Sequence, residues 1–289
     1  MRELDINLLR SFVRIARIGS ISEAAQKIGR TQSAVSMQMK RLETVVDQPL
    51  FHRTAGGVEL TTEGVRMLRH AERILAVHDD ALTDLSGQGL RGSISFGCPE
   101  DYLTVFFPEL LKGFGQLYPA VEIEIVCVPS VELHELIRRR RIDLALISQP
   151  LYSDELDVIR TERLVWVGNH AHPEILENDV LPLALSAPDT LDHIAACAAM
   201  EQARRIYRIS FASNSLSGLL TVARTGQAIS VMTRSAVPDD LLILTGHLPV
   251  LPEIGVRLAY AARRPNKLVQ TFGDFVTDSL RQTRSESTG

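Results

Sequence analysis

Residues 20–42, SISEAAQKIGRTQSAVSMQMKRL, decide how the rest of the chain is read. Ser20 and Glu23 form a Ser-x-x-Glu capping box, a helix start signal. Ala24, Ala25 and Ile28 then share one face at helical spacing. Gly29 ends this helix, because glycine accepts the left-handed geometry of a C-terminal cap. Thr31 is a good N-cap for a second helix, in which Val35, Met39 and Leu42 form a buried stripe. The opposite face carries Gln32, Ser33, Ser36, Met37, Gln38, Lys40 and Arg41. Two short helices around a glycine turn, with an amide-rich outer face on the second, make a helix-turn-helix pattern. An ordinary α-hairpin with a solvated face fits the same spacing, so the flanks must decide between them.

The downstream flank is RLETVVDQPLFHRTAGGVELTTEG. Pro49-Leu50-Phe51 leads into two short apolar stretches joined at Gly56-Gly57, which predicts a β-hairpin, or wing. Arg53 stands at its base, where a cation can meet a phosphate or enter a minor groove. Upstream, Asp5 caps a helix whose Leu8, Phe12, Ile15 and Ala16 share a face and pack across the pair.

With these residues in place, residues 4–61 resemble the winged helix-turn-helix of the LysR-type transcriptional regulators. The matching features are Leu9-x-x-Phe12, Gly19-Ser20, Ala24-Ala25, Thr31-Gln32-Ser33-Ala34-Val35-Ser36, Arg41-Leu42-Glu43, Pro49-Leu50-Phe51-x-Arg53 and Leu60-Thr61-x-x-Gly64. The resemblance implies an α/β chain with an N-terminal all-α winged helix-turn-helix, a long linker helix and a two-lobed, periplasmic-binding-protein-like effector domain. It implies a helix-turn-helix at 21–40 and double-stranded DNA with an inverted-repeat operator as partner. Base edges would be read by Gln32, Ser33, Ser36 and Gln38, and phosphates by Thr31, Lys40, Arg41 and Arg53. Met37 departs from the arginine common in the family, and Ser33 from its proline. A thioether cannot donate to a guanine edge, so base preference should differ there.

Charge supports this division. Residues 1–62 hold nine Lys or Arg and six Asp or Glu, a net of about +3, so the remainder is about −7 against the total of −4. A basic module ahead of an acidic body is the electrostatic footprint of a DNA-binding head. No window approaches the roughly 18 apolar residues that span a bilayer, and MRELDINLLRSF lacks the apolar run of a secretory signal. With three Cys in no framework spacing, a cytoplasmic protein without membrane partners is expected.

Thr61 to about Ser86 reads as one helix. Leu68, Leu75 and Leu82 are seven apart, as are Ala71, His78 and Leu85, giving an a/d seam. Residues 62–90 are thus a linker helix and hinge, with Leu68, Ala71, Leu75, Leu82 and Leu85 as dimerisation positions. The Gly-rich stretch 86–92 closes the linker. A homodimer or homotetramer follows from the resemblance, with RNA polymerase as a further partner.

Beyond residue 91 strands and helices alternate, which predicts a parallel sheet covered on both faces. Strands are expected at 94–98, 121–128, 142–148, 164–168, 183–186, 208–212, 228–232 and 255–260. Helices are expected at 103–118, 131–140, 191–202, 215–225 and 268–281, and Glu286–Gly289 as a frayed tail. The resemblance divides residues 91–289 into lobe I, about 91–163 and 264–283, and lobe II, about 164–263. Ligands of open α/β sheets sit beyond the C-terminal strand ends. The expected effector contacts are therefore Pro99, Glu100, Asp101, Ser130, Val131, Ser148, Gln149, Pro150, Ser213 and Asn214. Ser130 is expected to cap the helix after the second strand. Glu100 and Asp101 favour a neutral, zwitterionic or cationic ligand over a dianion.

No GxSxG, Walker loop, HExxH or paired CxxC occurs, so no catalytic residue, cofactor or metal is assigned, and His170-Ala171-His172 is a weak metal motif. Arg138-Arg139-Arg140-Arg141 ends a helix, where cations complement the dipole. Two alternatives stay open. One is a thiol-based regulator using Cys98 and Cys127, disfavoured by Glu100 and Asp101 beside Cys98. The other is a solute-binding or enzymatic α/β protein with an incidental N-terminal hairpin.

Overall fold

The structure, a computed structural model, describes residues 3–86, 89–151, 157–169, 173–246 and 248–286. The His170-Ala171-His172 motif and the last three tail residues lie outside these, as do Gly87 and Gln88 of the linker. Among the described residues no helix is long and apolar enough to cross a membrane.

The head is built as its caps dictate. Helix α1 (Ile6–Ile18) starts where Asp5 Oδ1 accepts from Asn7 N at 2.7 Å and ends at Gly19 with φ 79°. Helix α2 (Ile21–Lys27) is capped by Ser20, whose side chain accepts from Glu23 N at 3.3 Å. Gly29 follows with φ 66°. Helix α3 (Gln32–Val46) is capped by Thr31, accepting from Ala34 N at 3.3 Å. Strands β1 (Phe51–Thr54) and β2 (Gly57–Leu60) form the antiparallel wing, with Thr54 opposite Gly57. The turn residues are therefore Ala55 and Gly56. Leu9, Phe12, Ala24, Ala25, Val35 and Leu42 close one buried core, with Phe12 and Phe51 rings 5.2 Å apart.

Helix α4 (Thr62–Ser86) is the long helix. At 1.5 Å per residue, its 25 residues span about 37 Å. Its seam is not the one expected. Leu68 and Ala71 are buried in the head's own core, and Leu75 packs at its margin. The apolar stripe left in solvent runs Ile74, Val77, Ala81, Leu82 and Leu85, with Val77 70% and Leu85 87% exposed. The heptad spacing is real, but its N-terminal half serves this chain's core.

The body has strands β3 (Gly92–Gly97), β4 (Val121–Val126), β5 (Leu144–Pro150), β6 (Arg160–Gly168), β7 (Leu181–Leu185), β8 (Tyr207–Ala212), β9 (Ile229–Thr233), β10 (Leu242–Leu244) and β11 (Glu253–Tyr260). Helices α5 (Glu100–Leu117), α6 (Ser130–Arg138), α7 (Leu191–Gln202), α8 (Leu216–Arg224) and α9 (Lys267–Glu286) cover them. Sheet order is β4-β3-β5-β11-β6-β9-β7-β8, with β10 on β6. The parallel expectation holds within each lobe, for β4-β3-β5 and for β9-β7-β8. It fails where the chain crosses: β11 is antiparallel to both β5 and β6, and β6 to β9. Val256 and Ala259 of β11 already sit in lobe I cores, so the return to lobe I comes within β11, before residue 263. That core centres on Phe96, Phe107, Phe114 and Phe272, the last two edge-to-face at 4.9 Å. Lobe II has its own core around Trp166, Leu183, Met200 and Val231.

Three hydrogen bonds link α3, the wing entry and the start of α4. Glu43 Oε1 accepts from Leu50 N at 2.8 Å, Thr61 Oγ1 donates to Pro49 O at 2.7 Å, and Gly64 N donates to Thr61 Oγ1 at 2.9 Å. A Cβ on Gly64 would overlap the Leu50 carbonyl. Alanine for a helical glycine ordinarily stabilises by about 1 kcal/mol, whereas overpacking costs roughly 1–3 kcal/mol. Gly64→Ala is expected to destabilise the head by the larger amount while the lobes melt unchanged. A urea melt followed in both parts checks it; a stabilised head would show that the approach is not tight.

Candidate functional site

The outer face of α3 is set by its buried one. Val35, Met39 and Leu42 face the core, which leaves Gln32, Ser33, Met37, Lys40 and Arg41 exposed and Ser36 half-buried. Met37 is 71% exposed, a thioether held in water in the middle of a polar face. Thr31 Oγ1 and Ser33 Oγ share a hydrogen bond at 3.1 Å. Gln38 is different: it is half-buried, and its Oε1 accepts from Ser11 Oγ of α1 at 2.9 Å. Helix packing thus draws Gln38 off the exposed face. On the wing, Arg53 is exposed and paired in register with Val58. Val58 N donates to Gly19 O at 2.8 Å, so the end of α1 fixes the wing on the head.

The second candidate region lies where lobe I meets lobe II. Glu100 opens α5 and reaches across to α8. Its carboxylate accepts from Leu216 N at 2.8 Å, Ser217 Oγ at 2.7 Å and Ser217 N at 3.4 Å. Burial works against its charge, but these hydrogen bonds outweigh it and hold the carboxyl below its usual range. A helix N-terminus is an anion site, and here the protein's own carboxylate fills it. Next to it, Asp101 Oδ2 accepts from Thr233 Oγ1 of β9 at 3.2 Å. Burial pushes the Asp101 carboxyl up to about 6, against hydrogen bonds from the Tyr102 backbone and Thr233, and with Asp192 adding repulsion.

In lobe I, Ser130 does not cap α6. Pro129 holds the N-cap position without a side-chain bond, and Ser130 is the first helical residue. Its hydroxyl accepts instead from Ser148 N at 3.0 Å, tying the start of α6 to β5, and Ser148 Oγ pairs with the Tyr102 hydroxyl at 2.8 Å. Gln149 is buried, its Oε1 accepting from Arg257 Nε at 2.6 Å. Ser213 Oγ turns back onto Ser215 N at 3.2 Å. Pro99 and Pro150 are half-buried, and Val131 and Asn214 are exposed. Thr233, Asp192 and Ser217 are interlobe residues that sequence reasoning does not single out. Thr233 had a signal: it ends β9, a strand expected to stop at Met232.

Cys98 is buried, and burial first, then Asp101 and Cys127, push its thiol well above the ordinary range. Cys127 is exposed and its thiol is also raised. Neither is the activated thiolate that oxidant chemistry needs. Among the described residues no His/Cys/Asp/Glu group is placed to hold a metal ion.

Two family models match: the bacterial regulatory helix-turn-helix protein, lysR family, over residues 6–65, and the LysR substrate binding domain over residues 87–281. The chain belongs to the LysR family. It is 52% identical over 277 residues to the HTH-type transcriptional regulator DgdR of Burkholderia cepacia, covering 95% of this chain and 94% of that protein. PecT of Dickeya dadantii is 27% identical over 270 residues, covering 91% and 83%. Among solved structures, ArgP from Mycobacterium tuberculosis superposes with a TM-score of 0.71 at 18% identity, over 96% of this chain and 98% of its own. Full-length OxyR from Pseudomonas aeruginosa gives 0.66 at 19% identity, over 97% and 96%. These two likenesses carry the fold.

LysR membership makes the chain a DNA-binding transcription regulator with an effector-binding domain. It also assigns the two regions above: α3 and the wing to the head, and the interlobe contacts to the effector domain.

The Asp101 shift has a thermodynamic sign. Its folded pKa, about 6, lies above the ordinary 3.8, so the folded state holds more protons between these values and stability falls as pH rises through that window. Asp101→Asn removes the penalty. It is expected to raise the melting temperature by about 3 °C or more near pH 7.5 and to change little near pH 3.5. Calorimetric melts at both values check this, and an equal shift at both would place the effect elsewhere.

Proposed function

We propose that the heads read an inverted-repeat operator in pairs, each laying α3 in a major groove. Gln32, Ser33 and Ser36 face base edges there, with Met37 as an apolar contact. Thr31, Lys40, Arg41 and Arg53 meet phosphates, and Gln38 supports the helix from behind through Ser11. The observation that carries this is the exposed amide, hydroxyl and cation face of α3, with an exposed Arg53 on the wing, on a head whose apolar side is closed. Amides suit adenine edges and guanidinium groups suit phosphates. The chain works in the cytoplasm, performs no covalent chemistry and acts on transcription with RNA polymerase.

The effector site is the interlobe region bounded by Pro99, Glu100, Asp101, Ser130, Val131, Ser148, Gln149, Pro150, Ser213 and Asn214, with Thr233 added. Asp101 feels the charge of Asp192, and Glu100 already occupies the α8 N-terminus. Three carboxylates around one cleft favour an amine-bearing or neutral effector over a dianion.

Gln32→Ala is expected to relax sequence preference in a binding-site selection. Arg53→Ala should weaken all duplexes alike and flatten the salt slope by about one unit. If Gln32→Ala selects the wild-type motif unchanged, α3 does not read bases through that amide.

Pairing of heads falls to the exposed stripe Ile74, Val77, Ala81, Leu82 and Leu85, with Leu75 at its edge, and dimers associate further through the lobes. Val77→Asp in the full chain is expected to cost about a hundredfold in affinity for an inverted repeat through lost avidity, with unchanged melting of the lobes. Wild-type affinity would remove the stripe as the pairing surface.

A further inference from the structure

We propose that the arginine run at the end of α6 is a docking surface whose partner is this chain's own DNA-binding head. The four arginines do two different things. Arg138 and Arg139 stay on α6, binding Glu135 through their Nε atoms at 2.7 and 2.6 Å, and remain well exposed. At Arg140 the chain enters the left-handed region, φ 55°, and Arg141 N closes the helix end onto Leu136 O at 2.8 Å. That reversal carries the next two guanidinium groups away from lobe I. Arg140 pairs with Glu72 of α4, and Arg141 donates to the Arg17 carbonyl at the end of α1. Cations at a helix C-terminus complement its dipole.

The head answers in kind. Arg17 grips Asp143 with both terminal nitrogens, one at 3.0 Å to Oδ2. Asp143 is in turn held by Ser95 N at 2.9 Å, and its own carbonyl accepts from Ala261 N at 2.9 Å. A further pair, Lys27 with Glu124 of β4 at 2.8 Å, ties α2 to the same lobe. Cations thus cross the seam in both directions. Asp143 and Glu72 are only 13% and 17% exposed, whereas Arg138 on the open face of α6 is 71% exposed. Bidentate, largely desolvated pairs are the strong class, and removing one partner leaves a buried charge.

The docking surface also stands on the two elements that shape the cleft. Helix α6 begins at Ser130 and ends at the arginines; β5 begins directly after Asp143 and contains Ser148. Ser130 and Ser148 are bonded to each other at the cleft end. A displacement there moves two rigid elements whose other ends hold the head.

The test is hydrogen exchange on the full chain without DNA or effector, so its failure leaves the proposed regulatory reading standing. Arg140→Glu, made in lobe I, is read in the head at residues 17–21; Glu72→Arg, made in the head, is read at residues 139–143. Each is expected to speed exchange about fivefold or more, and the double reversal to return both segments to within about twofold of wild type. Amides of α3 and β5 report whether either part has unfolded. If a charge reversal unfolds its host, Arg141→Gln, which removes one donor to the Arg17 carbonyl, is read in the same way. Wild-type exchange at residues 17–21 in both Arg140→Glu and Arg141→Gln overturns the proposal, as does a double reversal no slower than the singles.

Discussion

One strand makes the effector domain a single object. β11 is hydrogen-bonded along one edge to β5 and along the other to β6. Two sheets that would otherwise be separate become one, so the lobes share a continuous sheet backbone. This pairing sets α5 of lobe I against α8 and Thr233 of lobe II. Glu100 and Asp101 find their partners across the domain because β11 holds the halves in register.

What the chain announces locally is announced well. Asp5, Ser20, Gly19, Gly29 and Thr31 bound the head's helices because each stop or start is decided by one side chain and the backbone beside it. The strands of the lobes are legible for a related reason: β5, β7 and β9 are near-continuous apolar runs, as strands buried on both faces must be. Long-range matters were harder to read. Heptad spacing in α4 says that a face is apolar but not whose core it enters, so Leu68 and Ala71 were given to a partner when Phe12 and its neighbours bury them. Gln38 has the chemistry of a base reader, but the packing of α1 brings Ser11 to its amide. β10 is three residues long and exists because β6 offers it an edge.

The cleft shows the same division. Strand-end reasoning names two residues that the structure places between the lobes, Glu100 and Asp101, whereas Ser130 and Ser148 bond to each other within lobe I. Their individual roles were misjudged where a tertiary partner outbid a local one. Ser130 has the position and chemistry of a cap, yet the Ser148 amide takes its oxygen. Glu100, besides its charge, fills the N-terminus of α8, a place that favours an anion.

Because Glu100 already occupies the end of α8, an incoming molecule that needs that position meets an intramolecular competitor. The competitor is tethered, so its local concentration does not fall on dilution. Apparent affinity is then the intrinsic affinity reduced by the fraction of chains in which α8 is free. The threshold dose of such an effector would be written partly into the chain, by how firmly Glu100 holds Leu216 and Ser217.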